Sequence, residues 1–190
     1  MVPSRFVVMK RTIALITLSM FAAAFIESWL GRKVWGVSDT PGLWSGDVRS
    51  EHNSQFLLDP YTVTHISHGM LFYGILSVAG QRLPVNTRLI LTVVLESGWE
   101  ALENTNMAVE RYRAETISLN YYGDSIVNSM GDILACMLGF TLASRLPRRT
   151  TIAGIIALEI ILAFWIRDNL ALNIVMLLHP SRAIRAWQLK

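Results

Sequence analysis

Three glutamates, Glu96, Glu100 and Glu103, stand at i, i+4 and i+7 in the stretch ESGWEALENT, directly after the apolar run LILTVVL. At about 100° per residue they share one stripe of a helix. Asp124, Asn128 and Asp132 make a second stripe, repeating every four residues, and His65 and His68 stand one turn apart in HISHG. Carboxylates and imidazoles are ligands that divalent cations take, and one such glutamate or histidine can serve as a general base. The pattern predicts Glu96, Glu100, His68 and Asp132 as candidate catalytic groups. His65, His68, Glu100, Glu103 and Asp124 are the candidate ligands of a divalent metal ion. Arg111 and Arg113, the nearest basic residues, are expected to pair with Glu103 and Asp124 or to hold a phosphate headgroup. With Asn104 and Asn128 they form the candidate substrate-binding set.

The elements that carry these residues are apolar. Of 190 residues, 52% are hydrophobic and 16% charged, against roughly a quarter charged in a soluble domain. Mean hydropathy is +0.39. Long apolar runs separated by charged clusters predict an all-α, polytopic transmembrane bundle in a single integral-membrane domain. Five spans are expected, near residues 12–30, 60–80, 86–104, 124–145 and 150–166, each close to the ~20 residues that cross a bilayer. The apolar piece 170–178, within a short segment 168–179, is too short to span alone; it either extends the fifth helix or lies at the interface. The first run reads as a span rather than a secretory leader, because it is long and ends at Trp29, an interfacial anchor. The single Cys136 excludes an intrachain disulfide.

The net charge of +3 does not point to nucleic acid, because the basic residues cluster at the ends of apolar runs. Arg5, Lys10 and Arg11, then Arg82 and Arg88, then Arg145, Arg148 and Arg149 occupy alternate connections. The positive-inside rule therefore predicts a cytoplasmic N-terminus. All the polar residues above, with Glu27, then fall in the outward half of the bilayer. A carboxylate facing lipid costs roughly 2.5–3.5 kcal/mol on insertion scales, so these groups should face one another or a wet cavity. Arriving at the helix starts, Asp59-Pro60 sets a capping acid before proline, and Gly123-Asp124-Ser125 sets a turn before another acid.

Plainer readings compete at each position. Asp124 can be a helix cap alone, Glu103 and Asn104 a wet helix end, and either histidine a packing residue. Glu159 stands alone in the fifth span. Loop residues 31–59 read as an interfacial lid with Trp35 and Trp44, from which Asp47, Glu51 and His52 could add ligands.

ESGWEALENT, RYRAETISLNYYGDSIVNSMGD and HISHG together resemble an uncharacterised family of small bacterial inner-membrane proteins, over nearly the whole chain. The resemblance implies a multi-pass cell-membrane protein and supplies no reaction. A looser pattern, E-x-x-x-E with a later G-D-x-x-x-N-x-x-x-D, is similar to VanZ-like membrane proteins. No P-loop, G-x-S-x-G, H-E-x-x-H or paired C-x-x-C is present. Three function classes stay open: metal-dependent chemistry on a lipid or isoprenoid headgroup at the periplasmic side, a proton-coupled transporter, and a non-catalytic membrane protein whose polar network packs helices or docks a partner. Oligomeric state is not legible.

Overall fold

The computed structural model describes residues 4–36, 39–118 and 120–190. Among the described residues eight helices follow one another: α1 (Arg5–Trp29), α2 (Thr62–Ala79), α3 (Val85–Glu103), α4 (Asn106–Glu115), α5 (Ile126–Arg145), α6 (Arg148–Trp165), α7 (Leu170–Leu178) and α8 (Arg182–Gln188). Among the described residues there is no strand, only an isolated bridge between Trp44 and Leu58. The starts are written locally. The side chains of Ser4, Thr105, Ser125, Asn169 and Ser181 each accept the main-chain N–H three residues on, supplying a partner to an otherwise orphaned donor. Pro84 and Pro147 precede α3 and α6.

α1 and α5 are each long and apolar enough to cross a membrane, and α6 with α7 passes the same test as a pair bent by 73°. α2 and α3 fall short because they carry the histidines and glutamates. Those polar groups are the ones turned inward. Glu27, Ser67, Thr92, Glu96, Glu100 and Asn128 are fully buried, whereas Phe25, Trp29 and Phe164 are 74%, 82% and 85% exposed. An apolar exterior around a polar interior reverses the usual soluble arrangement and suits a lipid surround.

α7 does not continue α6. Arg167 takes a left-handed φ of 57° at the break, and the chain turns there. Glu159 of α6 accepts N–H bonds from Leu170 (3.3 Å) and Ala171 (2.9 Å), so the lone acid of this helix caps α7. Asp168 accepts the Tyr61 hydroxyl at 3.1 Å and the Gln188 amide at 3.0 Å, and Arg185 donates to Ala114 O at 2.6 Å. The last two helices are thereby folded back on the loop side of the bundle. α4 is a helix where a plain connection was expected, started by Thr105.

The most extensive helix interface joins α2 to α5. A Cβ on Gly69 would overlap Cys136 O, and one on Gly139 would overlap Ile66 O. With Gly131, Ala135 and Ala143, Gly139 makes a small-residue face on α5 that lets the backbones touch. Gly69→Ala or Gly139→Ala is expected to destabilise the protein by about 1–3 kcal/mol through overpacking. Gly154→Ala, with nothing within 4 Å of the new atom, should lower no stability. Thermal midpoints in one detergent check the contrast; equal midpoints for all three variants would remove the close-contact account.

Candidate metal centre

α2, α3 and α5 bring the two stripes and the histidine pair to one place. Glu96 lies between the rings: its Oε1 is 2.6 Å from His65 Nδ1 and 3.0 Å from His68 Nδ1. With Nδ1–H donated to Glu96, the His65 Nε2 lone pair is left free on the other side of the ring. That side faces Asp132, whose Oδ2 is 3.8 Å from Nε2. The distance is too long for a hydrogen bond. Ligand atoms bonded at about 2.1 Å to one tetrahedral ion would stand roughly 3.4 Å apart, close to what is found.

Glu100 completes this group. Its Oε1 is 3.3 Å from His65 Nδ1, yet neither carboxylate oxygen has a hydrogen-bond partner, and Asp132 Oδ1 has none either. A fully buried carboxylate with both oxygens unpaired is costly. One ligand atom each from His65, Glu100 and Asp132 lie within 4.8 Å of one another; the same holds for His65, His68 and Glu96, and for Glu100, Glu103 and Asp124. In the histidine-rich set Glu96 is already engaged by both rings, so it acts there as the orienting carboxylate of a carboxylate–histidine pair.

A cavity of about 40 Å³ open to water-sized molecules runs alongside, lined in part by His65, His68, Glu103, Tyr112, Asp124 and Asp132. On its wall the Tyr121 hydroxyl donates to Asp124 Oδ2 at 3.1 Å, and Tyr112 lies beside Glu103. Burial pushes both phenols well above the ordinary tyrosine range, and Glu103 and Asp124 push the same way. Both stay protonated donors. Leu170 and Asn173 of α7 close another side.

Seven of the predicted residues therefore meet: His65, His68, Glu96, Glu100, Glu103, Asp124 and Asp132. Asn104 joins them as a brace. Its Oδ1 accepts Asp124 N at 2.7 Å and its Nδ2 reaches Glu100 O at 3.2 Å. Asp124 is not the helix cap; Ser125 holds that place. Asn128 donates to Phe56 O at 2.8 Å, with its own Oδ1 buried and unpaired. Arg111 and Arg113 do not pair with Glu103 or Asp124. Arg111 donates to Leu177 O at 3.0 and 2.9 Å and reaches Glu115, and Arg113 donates to Tyr121 O. From the loop, Asp47 Oδ1 accepts Arg49 N, while Glu51 is exposed beside His52, which stacks on Phe56. Asp59 does cap as expected, accepting from Tyr61 N at 2.7 Å and Thr62 N at 3.1 Å. Burial raises its carboxyl pKa against the pull of those bonds.

Tyr112 and Tyr121 are the groups the pattern missed. Tyrosine at a membrane-facing loop reads as an interfacial anchor, and only the fold turns these two onto Glu103 and Asp124.

Residues 27–190 match the model of a family described as "Protein of unknown function (DUF2585)". The chain belongs to this family. Among its relatives is a UPF0314 protein of Paracoccus denitrificans, 45% identical, covering 90% of this chain and 89% of the relative. One from Brucella anthropi is 45% identical over 92% and 89%, and one from Sphingopyxis alaskensis 38% identical over 93% of both chains. No solved structure matches. The looser likeness to VanZ-like proteins gains no support from these comparisons.

If the Glu100 carboxylate is an unpaired charge awaiting an ion, Glu100→Gln should stabilise the metal-stripped protein by about 1–3 kcal/mol while abolishing any rise in thermal midpoint on adding a divalent ion. A stripped variant that melts well below the stripped parent would instead make Glu100 a packing group.

Proposed function

We propose that this chain is a multi-pass bacterial inner-membrane enzyme that uses a divalent metal ion on a lipid or isoprenoid headgroup bearing phosphate. The observation that carries the reading is Glu100, fully buried with two unpaired oxygens, 3.3 Å from His65 Nδ1 and in one ligand set with His65 and with Asp132, which has an unpaired oxygen of its own. Polar packing alone gives no reason to leave these atoms without partners.

In this reading α1, α2, α3, α5 and α6 cross the bilayer as one integral-membrane domain with a cytoplasmic N-terminus, α7 turns back at the outer side, and the cavity opens to the periplasm. His65, Asp132 and Glu100 would hold the ion, and Glu96 would orient His65. A divalent ion bound there would supply polarisation of a phosphate oxygen and activation of water. His68, which lines the cavity and is the more exposed histidine, would take the proton of a water attacking phosphorus and return it to the leaving oxygen as the P–O bond breaks. Arg111 and Arg113 would take part once a substrate phosphate drew them off their main-chain carbonyls. The transporter reading is weaker, because Glu159, the lone acid of α6, is occupied in capping α7 and continues no polar path toward the cytoplasm.

Purified protein in nanodiscs, supplied with Mn²⁺ and either a polyprenyl diphosphate or phosphatidic acid, is expected to release phosphate. Glu100→Gln and His65→Ala should lower the rate by at least 100-fold without loss of helicity. No release from either probe, or full activity in a folded Glu100→Gln variant, would overturn the enzymatic reading in favour of a structural polar network.

A further inference from the structure

We propose that the cluster is a two-ion centre, with Glu100 as a bridging carboxylate between a first divalent ion on His65 and Asp132 and a second on Glu103 and Asp124. This rests on the metal reading above and extends it.

Glu100 is the one residue common to both ligand sets, His65–Glu100–Asp132 and Glu100–Glu103–Asp124. Its two oxygens are both buried and unpaired, a state it shares with Glu27, which belongs to neither set. A single ion of the first set explains one of those oxygens. The second points to another acceptor of electron pairs, and the carboxylates of Glu103 and Asp124 lie within ligand reach of the same side chain.

Charge leads to the same count. Glu100, Glu103, Asp124 and Asp132 carry four negative charges when ionised, and two divalent ions supply four positive ones. Among the described residues, the ion pairs reaching these four come from His65 alone. Four carboxylates around one imidazole in a buried space repel one another strongly without further cations.

The outer partners of the second set are already in place. Tyr121 donates to Asp124 Oδ2 at 3.1 Å, with Asn104 Nδ2 at 3.5 Å from the same oxygen, and Tyr112 lies beside Glu103 on the cavity wall. Asp124 thus has neutral donors turning it, as ligating carboxylates usually do, and Glu103 has a neutral phenol beside it. The two sites differ in character. The first, with an imidazole, suits Zn²⁺ or Mn²⁺; the second, all oxygen, suits Mg²⁺ or Mn²⁺. Paired ions about 3.5–4 Å apart clamp the attacking and leaving oxygens of a phosphoryl group, so the ligand class is a phosphate ester or diphosphate that spans both.

The test is Mn²⁺ loading of chelator-stripped, detergent-purified protein, read by metal analysis after desalting and by electron paramagnetic resonance. Two Mn²⁺ per chain with an exchange-coupled spectrum are expected. Glu103→Gln combined with Asp124→Asn should fall to one ion with an isolated-Mn²⁺ spectrum. One uncoupled ion per chain in the parent would overturn the second site and leave the single-metal reading standing. No retained ion at all would overturn both. Should the double variant fail to fold, as judged by circular dichroism, the stoichiometry and spectrum of the parent decide alone.

Discussion

The hydrogen bond between Glu96 and the Nδ1 of His65 organises the interior. It joins α2 to α3 at the depth where both are most polar, and it fixes which face of the His65 ring is left for chemistry. His68 meets the same carboxylate from the next turn, so Glu96 holds two rings about 4.9 Å apart at their centroids. Once that contact is made, Glu100 one turn further along α3 has no imidazole proton left to accept in good geometry. Its isolation follows from the satisfaction of its neighbour.

This contact needs α5 close by, and glycine provides the closeness. Gly69 and Gly139 let α2 and α5 meet backbone to backbone, which carries Asp132 to the free side of His65. The hydrophobic cluster of Ile16, Ala23, Val93 and Ile133 then seats α1, α3 and α5 on one another. Apolar side chains do most of their work on the outside, and the polar ones within must find partners, ions or protons.

Much of the site was legible because helical period is a strong signal. Glu96, Glu100 and Glu103 share a stripe whatever surrounds them, and so do Asp124, Asn128 and Asp132. Their mutual approach followed from the cost of facing lipid. Roles set by tertiary geometry were not legible. Nothing in the spacing of Arg111 tells that it ends on Leu177 O, nor that Ser125 rather than Asp124 caps α5, nor that Glu159 waits for the start of α7. α4 was hidden for a different reason: its sequence NMAVERYRAE has few apolar residues, so it looks like a connection until Thr105 caps it. Of the five expected spans, α1 and α5 are long and apolar enough to cross a membrane, while the histidines and glutamates lower the hydropathy of α2 and α3.

The fold-back of α7 and α8 has a consequence for the order in which the protein is made. Every candidate ligand lies between His65 and Asp132, so all of them emerge from the ribosome well before Leu170 and Asn173, which wall the cavity. The fastening of that wall comes later still, when Gln188 reaches Asp168 and Arg185 reaches Ala114 O. The residues that wall the cavity and those that fasten the wall are therefore the last part of this region to be made.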